Sequence, residues 1–382
     1  MLSKDFPEKL AEVSRSPWVG GNTIRTLQNG RAFFPEMLAS VKSAQKSITF
    51  ETFAYVDAPI TLAFSQALAE KARAGVPVKM ILDKVGSADA GKYNVELMRE
   101  AGVDLHFYHP VNILRPRYSN NRDHRKILVV DGKVAFTGGA GFAHAWTGDA
   151  ESPVFWRDTQ YEITGPIVAG FQKAFNENWY ELTGEEVKGS SYFPRLERTG
   201  SLRMQVVADH PWEPAHPIAH SVLAVINGAQ KSLILQQAYF IPSDDFRDAL
   251  FRARARGVKV EIMTANHYID SKPTRWASQN YWKSYLEAGI DLYQYERTML
   301  HCKLLVADGR ISIVGSGNFD DRTFFINDEL NLHVDSRAFA REQVAMFRKD
   351  LKASQKVTLE NLRKVLEPGY KRFFGRLLES QL

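Results

Sequence analysis

Two short stretches of this chain place a histidine and a lysine at a spacing that suits phosphate chemistry. Residues 124–132 and residues 301–309 both read His-x-Lys-x-x-x-x-Asp-Gly. Alternate side chains of a strand leave the same face, so the histidine and lysine of each copy project together. We expect the two copies to meet in one pocket with two imidazoles and two ammonium groups. The candidate catalytic residues are those of the two motifs: His124, Lys126, Asp131, His301, Lys303 and Asp308.

A pocket with this content suits a phosphodiester. The two lysines would offset the negative charge that the non-bridging oxygens carry in the transition state. One histidine would attack phosphorus to form a covalent phosphohistidine, while the other would protonate the leaving alkoxide and deprotonate the incoming acceptor. These roles need one neutral and one protonated imidazole, which an ordinary pKa of about 6.5 allows near neutral pH. The chemistry needs no metal, and we identify no metal-ligand set or cofactor motif in the sequence.

Polar residues that follow each motif are candidates for supporting roles. Asp158 and Glu329 are the candidate carboxylates that orient the histidines and fix their tautomers. Ser316 and Asn318 lie in a glycine-rich turn after the second motif. Their hydroxyl and amide groups are suited to binding phosphate oxygens.

Two further pairs of polar residues occupy matching positions in the two halves. Asp131 and Asp308 precede glycines at strand ends, where a carboxylate more readily braces a turn than takes part in chemistry. Glu51 lies in an apolar strand, and Gln236 or Gln237 lies near the matching position. We expect Glu51 and Gln236 to line the substrate pocket, although a structural hydrogen bond is the alternative.

The sequence around the motifs is itself duplicated. Ala-Gln-Lys-Ser occurs at 44–47 and 229–232, and Glu-Ala-Gly-Val-Asp-Leu at 100–105 returns as Glu-Ala-Gly-Ile-Asp-Leu at 287–292. Strands that alternate with helices predict α/β units with largely parallel pairing. We predict two domains related by a pseudo-two-fold axis, each a mixed, largely parallel sheet flanked by helices, with the active site at their interface. The predicted division is a first domain at 1–190, a second at 191–337 and a C-terminal helical tail at 338–382.

The composition is that of an ordinary globular protein. The chain has 382 residues, of which 44% are hydrophobic and 24% charged, enough for two cores. The single cysteine excludes an intrachain disulfide framework and a cysteine-based zinc cluster. A net charge of +5 suits an anionic partner such as phospholipid headgroups or nucleic acid, without choosing between them.

Any contact with a membrane is expected to be peripheral. No run approaches the roughly 20 apolar residues of a spanning helix, and the first 19 residues resemble neither a signal peptide nor an anchor. Residues 370–382 have an aromatic and aliphatic face with basic flanks, which is typical of an interfacial helix or of a helix packed on the protein body. Arg115, Arg117 and Arg122, just before the first motif, face either headgroups or solvent.

The duplicated motif resembles the mark of the phospholipase D superfamily, and the resemblance covers both halves of the chain. Within that superfamily the sequence is similar to bacterial cardiolipin synthases that lack an N-terminal membrane anchor. One departure is Gly141, because many such synthases have asparagine there to contact phosphate. The segments that carry the resemblance are 50–53, 124–126, 137–139, 156–158, 239–242, 315–320 and Arg322.

The resemblance implies that a phosphatidyl group is transferred through histidine to a hydroxyl of phosphatidylglycerol, with phosphatidylglycerol as donor and acceptor and glycerol released. It also implies that His124 is the nucleophile and His301 the general acid and base, although pseudo-symmetry leaves that order open on sequence grounds. The implied partners are anionic phospholipids, namely phosphatidylglycerol and cardiolipin, at a peripheral membrane surface. The implied location is the cytoplasmic side of the bacterial inner membrane, and nucleic acid is not expected.

Two alternatives remain open at this point. A phospholipase D-type hydrolase or nuclease would use the same two motifs with water as the acceptor. A catalytically inert lipid-binding scaffold would keep the fold without the reaction, although both motifs are complete.

Overall fold

The computed structural model describes residues 2–3, 5–112, 114–211 and 215–381, without the side chains of residues 116, 117 and 380. The strands of the first half are β1 (Val19–Gln28), β2 (Ile48–Thr52), β3 (Val78–Asp83), β4 (Asp104–Tyr108), β5 (Lys126–Val130), β6 (Val134–Gly138) and β7 (Thr159–Thr164). The strands of the second half are β8 (Leu202–Asp209), β9 (Ser232–Gln237), β10 (Phe240–Ile241), β11 (Lys259–Ala265), β12 (Asp291–Tyr295), β13 (Lys303–Ala307), β14 (Ile311–Gly315), β15 (Phe319–Asp320), β16 (Glu329–Asp335) and β17 (Ser354–Val357).

Helices connect most of these strands. Those of the first half are α1 (Phe6–Ser14), α2 (Gly30–Ser43), α3 (Pro59–Arg73), α4 (Lys92–Glu100), α5 (Pro116–Asn120) and α6 (Val168–Thr183). Those of the second half are α7 (Pro217–Gly228), α8 (Asp244–Ala255), α9 (Lys272–Ser278), α10 (Trp282–Glu287), α11 (Asp321–Phe325), α12 (Arg337–Leu351), α13 (Leu362–Val365) and α14 (Gly369–Leu378). Short 3-10 turns are formed at His144–Trp146 and Glu379–Gln381.

The duplication is visible in the order of the strands. One continuous sheet runs β17-β12-β11-β9-β13-β14-β16-β8-β1-β7-β6-β5-β2-β3-β4, so the halves meet where β1 pairs with β8. Outward from that junction, β7-β6-β5-β2-β3-β4 repeats the order β16-β14-β13-β9-β11-β12. The α/β class and the paired halves are therefore confirmed.

Each half was predicted to contain a mixed, largely parallel sheet; the sheet is mixed, but antiparallel pairs outnumber parallel ones. Only β2-β3-β4 and β9-β11-β12 are joined by parallel pairs within the large sheet. The strands between them form antiparallel pairs, including β5 with β6 and β13 with β14. The reason is the Asp-Gly turn that follows each motif strand. Asp131 and Asp308 adopt positive φ there, which suits a tight hairpin rather than a helical crossover.

Both motif strands are buried on both faces. On β5, Ile127 and Val129 pack into a core that both halves share, while Leu128 and Val130 pack into the core of the first half. On β13, Leu304 and Val306 pack into the shared core, while Leu305 and Ala307 pack into the core of the second half. Apolar contacts on two faces fix these strands, so each motif is free to meet substrate only at its histidine end.

The ends of the chain are tied to the second half. Leu2 and Phe6, at the start of the chain, join the core of the second half. Residues 338–382 were predicted to be a helical tail, but they also contain β17, which pairs antiparallel with β12. The chain passes from the first to the second half between α6 and β8, and the predicted division near residue 190 stays a proposal.

Candidate active site

Backbone bridges between the halves hold the two motif histidines. The N–H of His124 donates to the carbonyl of Asp328 at 2.9 Å, and the N–H of His301 donates to the carbonyl of Arg157 at 2.8 Å. In each pair the donor and the acceptor come from different halves. The residue that follows each acceptor is a carboxylate.

These carboxylates bind the imidazoles crosswise. Glu329 Oε1 lies 2.8 Å from Nδ1 of His124, and Asp158 Oδ2 lies 2.7 Å from Nδ1 of His301. Both carboxylates are fully buried, so water does not compete for them. A bond at Nδ1 fixes the ring and leaves Nε2 of each imidazole for a reacting group.

The two lysines fold back in the same way in both copies. Lys126 Nζ donates to the carbonyl of His124 at 2.7 Å, and Lys303 Nζ donates to the carbonyl of His301 at 2.7 Å. Lys303 Nζ also lies 3.1 Å from both ring nitrogens of His301. Each ammonium group is thus held beside its own imidazole.

A cavity of about 780 Å³ lies between the halves, with both motif histidines on its wall. Lys126 also lines it, whereas Lys303 lies behind His301. The structure therefore brings both motif histidines and Lys126 to one opening. Aromatic side chains form much of the remaining wall: Phe53, Trp146, Trp156 and Tyr239.

Burial is the main cause of the pKa shifts of the basic side chains in this site. It lowers the pKa of His124 to about 4, against the attraction of Glu329, and it lowers the pKa of Lys126 to about 8. Burial also lowers the pKa of His301, and the charge of Lys303 adds to that effect. The substrate-free site therefore favours neutral imidazoles. An anionic phosphate among these groups would raise the pKa of both histidines and favour the protonated form of one.

The partner carboxylates stay charged in spite of their burial. Burial raises the pKa of a carboxyl group, but His301 and Lys303 outweigh this effect and hold the pKa of Asp158 below its usual value. In the same way, His124 outweighs the burial of Glu329 and lowers its pKa. Each histidine therefore has an anion that can stabilise its imidazolium form.

The two histidine environments differ in what supports the carboxylate. Glu329 accepts hydrogen bonds from the hydroxyls of Ser316 and Thr323. Asp158 accepts one from the indole N–H of Trp146 at 2.9 Å. Sequence analysis missed Trp146, although its place after the glycine-rich turn matches that of Thr323. The ring of Trp146 also packs edge-on against the His301 imidazole, with 5.4 Å between ring centroids.

Ser316 was predicted to bind phosphate, and the structure corrects this. Its side chain is fully buried and bonds Glu329 and the carbonyl of Leu330, so it positions a carboxylate instead. Asn318 does line the cavity, and its Oδ1 has no hydrogen-bond partner among the described residues. Its amide N–H groups, rather than this oxygen, would donate to a phosphate oxygen, and Asn318 remains the candidate for a phosphate contact.

Glycine is required at positions 139 and 141, in the turn that follows β6. A Cβ at Gly139, the counterpart of Ser316, would lie 2.3 Å from Asp158 Oδ1 and 2.9 Å from the carbonyl oxygen of His301. A Cβ at Gly141 would lie 2.8 Å from Cβ of Ala54. The first half therefore has no side chain that matches Asn318.

The aspartates of the motifs lie at the far ends of their strands and brace turns. The Asp131 carboxylate accepts the backbone N–H groups of Gln45, Lys46 and Ser47. The Asp308 carboxylate accepts those of Gln230, Lys231 and Ser232. Their place among the catalytic candidates is corrected to a structural role, as their position before glycine indicated.

Glu51 and Gln236 lie beneath the cavity rather than on its wall, which corrects the prediction of a pocket role. Glu51 is fully buried and accepts a hydrogen bond from Asn178 at 2.7 Å. Burial raises its pKa to about 7, against the attraction of Arg125. Gln236 donates to Asp350 at 2.8 Å. Both form structural hydrogen bonds, the alternative that the sequence had left open.

The three arginines before the first motif differ in where their side chains lie. Arg122 lines the cavity, Arg115 is exposed to solvent, and the side chain of Arg117 lies outside the described residues. Gln381, which follows α14, also lines the cavity, and its Oε1 accepts a hydrogen bond from the amide of Asn120 in the segment before the first motif at 3.3 Å. The mouth is therefore bordered by the loop before the first motif and by the end of the chain's last helix.

The chain was compared with known proteins. A family model described as "Cardiolipin synthase, PLD-like domain" matches residues 37–179 and 222–351. The cardiolipin synthase of Geobacillus sp. (strain WCH70) is 32% identical over 353 residues, which is 91% of this chain and 70% of that protein. The cardiolipin synthase of Clostridium perfringens (strain SM101 / Type A) is 32% identical over 360 residues, which is 91% of this chain and 74% of that protein.

A solved structure supports the fold over the whole chain. The phosphatidylserine synthase of Haemophilus influenzae Rd KW20 superposes with a TM-score of 0.74 at 11% identity, covering 99% of this chain and 100% of that one. At this identity the likeness establishes the shared fold. In the part of the chain that the structure describes, no helix has the length and apolar character needed to cross a bilayer.

Proposed function

The chain belongs to the family of cardiolipin synthases with phospholipase D-like domains, and we propose that it transfers a phosphatidyl group between two phospholipids through a phosphohistidine. One observation carries this proposal: both motif histidines reach one cavity, each fixed by a carboxylate of the opposite half. The donor and the acceptor are both phosphatidylglycerol, and the products are cardiolipin and glycerol.

In the first step Nε2 of His124 attacks phosphorus. The bond between phosphorus and the glycerol oxygen breaks, and that oxygen takes a proton from Nε2 of His301. Glycerol leaves and the phosphatidyl group stays bonded to His124. The approach of the phosphate supplies the negative charge that His301 needs to hold its proton in this buried site.

In the second step the hydroxyl of another phosphatidylglycerol replaces glycerol. It gives its proton to Nε2 of His301 and attacks phosphorus, and the bond between phosphorus and His124 breaks. Lys126, on the cavity wall, stabilises the charge on the non-bridging oxygens in both transition states, and Lys303 adds its positive charge from beside His301. Asp158 stabilises the imidazolium form of His301 each time the proton returns.

We also propose that the enzyme works at the surface of an anionic membrane, on the cytoplasmic side of the bacterial inner membrane. A reducing compartment suits a chain whose single cysteine is free. Support for the membrane contact comes from α14, where Gly375 packs against Trp276 and Ala277 of α9. The apolar face of the helix points away from the body and is exposed at Tyr370, Phe373, Phe374, Leu377 and Leu378.

Offering phosphatidylglycerol vesicles and single-stranded DNA in separate assays tests the function. We expect released glycerol, equimolar new cardiolipin and intact DNA. His124→Ala and His301→Ala should each lower cardiolipin formation by roughly 10³-fold or more, since a nucleophile and its acid act as a unit. His220→Ala, on the exposed side of α7, is the matched control and should retain activity. Phosphatidic acid as the sole lipid product would mark a hydrolase instead, and cleaved DNA a nuclease.

A further inference from the structure

One end of the cavity carries guanidinium groups that the transfer step does not use. Arg122 is only 6% exposed, and its Nε and Nη1 have no hydrogen-bond acceptor among the described residues. Its Nη2 donates to the carbonyl of His109 at 2.9 Å, while Nη1 lies 3.6 Å from a carboxylate oxygen of Asp83. Buried donors without acceptors are costly, so this side chain is suited to a ligand that brings its own oxygens.

Arg322 lies beside it and is held by neutral groups. Its Nη1 and Nη2 donate to the side-chain and backbone carbonyls of Asn120 at 3.0 and 2.8 Å, and Nη1 donates to the carbonyl of Gln381 at 3.1 Å. Among the described residues no carboxylate lies within 4.0 Å of this guanidinium group. Of the two acidic residues just before Arg322 in sequence, Asp320 accepts the N–H of Thr323 and caps α11, while Asp321 interacts with Ser243 and Arg247. The charge of Arg322 is therefore available to an anion in the cavity.

The duplication provides an internal comparison. Two residues before the motif histidine, the first half has Arg122 and the second half has Met299. Four residues beyond the glycine-rich turn, the second half has Arg322 and the first half has Ala145. Both arginines line the cavity at positions where the other half has an apolar residue. Unlike the histidines and lysines, these arginines are not duplicated, so we assign them a separate role from the reacting centre.

The arginines extend the row of basic groups beyond the reacting centre. Arg122, His124 and Lys126 are alternate residues, and all three line the cavity. Two residues of extended chain span about 7 Å, so an anion at Arg122 lies next to the phosphate on the histidine rather than on it. A guanidinium group presents paired donors that match phosphate oxygens.

We propose that Arg122 and Arg322 bind a second phosphodiester, that of the acceptor lipid, while the reacting phosphate occupies the histidines and lysines. This inference rests on the proposed function, in which the acceptor glycerol carries its own phosphate. The attacking hydroxyl is one glycerol unit away from that phosphate. The arginine pair thereby favours a phospholipid acceptor over water or an uncharged alcohol.

A competition between two acceptors tests this proposal. The enzyme is given phosphatidylglycerol vesicles in buffer with ethanol, and the ratio of cardiolipin to phosphatidylethanol is measured. Both products arise from one phosphatidyl-histidine, so the ratio is independent of donor binding and of the folded fraction. We expect Arg122→Met and Arg322→Ala, which install the residues of the other half, each to lower the ratio by about tenfold or more, because charge-assisted hydrogen bonds to the acceptor are lost.

Arg115→Met is the matched control, since Arg115 is exposed and does not line the cavity; its ratio should equal that of the unaltered protein. An unchanged ratio in Arg122→Met and Arg322→Ala would overturn the inference, whether total turnover falls or not. Phosphatidylethanol without cardiolipin from the unaltered protein would contradict the proposed function itself. The two failures are therefore distinguishable.

Discussion

At the scale of single residues, burial and pairing act on each motif histidine in opposite directions. Burial lowers the pKa of His301, and the Asp158 carboxylate at 2.7 Å raises it. The same opposition holds at His124, where burial prevails and lowers the pKa to about 4. His124, the proposed nucleophile, is thus neutral over most of the pH range. The protonated acid is the form that the site must stabilise.

The pH dependence of kcat/KM tests this balance. In the proposed mechanism His301 must be protonated, so kcat/KM should fall as the pH rises through its pKa. Asp158→Asn removes the anion that raises this pKa, so the basic limb should move to lower pH and kcat should fall. Asp89→Asn, at an exposed position, should leave the limb in place. A shift of the acidic limb instead would assign the nucleophile to His301 and contradict the order of roles.

At the scale of elements, the sequence was informative wherever a pattern is local. The repeated landmarks predicted the α/β units, and the alternation of each motif predicted a histidine and a lysine on one side. The Asp-Gly pairs were identified as turns, but a turn alone does not say that β5 and β6 form a hairpin, so the parallel content was overestimated. Local pattern also could not show that Ser316 turns to Glu329 rather than to the cavity.

The crossed pairing of the carboxylates was beyond the sequence for a physical reason. Asp158 and Glu329 were identified as orienting candidates, yet the partner of each histidine depends on backbone bridges between residues more than 140 positions apart. Trp146 escaped notice because an indole N–H replaces the hydroxyl of its counterpart, Thr323. Contacts between distant segments depend on how the two halves pack together, and the local spacing of residues in the sequence does not predict that packing.

Helix α14 is the element whose role depends on its surroundings. We expect a variant with Phe373, Phe374 and Leu377 all changed to serine to sediment less with phosphatidylglycerol vesicles, because apolar area that would enter the interface is removed. These side chains are 55–62% exposed, so thermal unfolding should be unaffected. Tyr93→Ser, at an exposed aromatic residue on α4, is the control. Unchanged sedimentation of the triple variant would exclude α14 as the membrane contact.

At the level of the whole molecule, one chain contains two related halves that together form a single pseudo-symmetric unit. The large sheet is continuous through β1 and β8, and a single core takes side chains from both motif strands. Neither half holds a complete site, since each histidine takes its carboxylate from the other. Joining the halves in one chain lets them diverge. Arg122 and Arg322 correspond in sequence to Met299 and Ala145 of the other half, so the two ends of the cavity differ chemically.

In the proposed mechanism, this shared cavity transfers a phosphatidyl group through a covalent bond to histidine. Mixing the protein briefly with phosphatidylglycerol, quenching it and mapping the adduct by peptide mass spectrometry tests that claim directly. We predict a phosphatidyl group on the peptide that contains His124, and none on that peptide in His124→Ala. An adduct on His301 alone would show that His124 is not the nucleophile, and active turnover with no histidine adduct at any quench time would rule out a phosphohistidine intermediate.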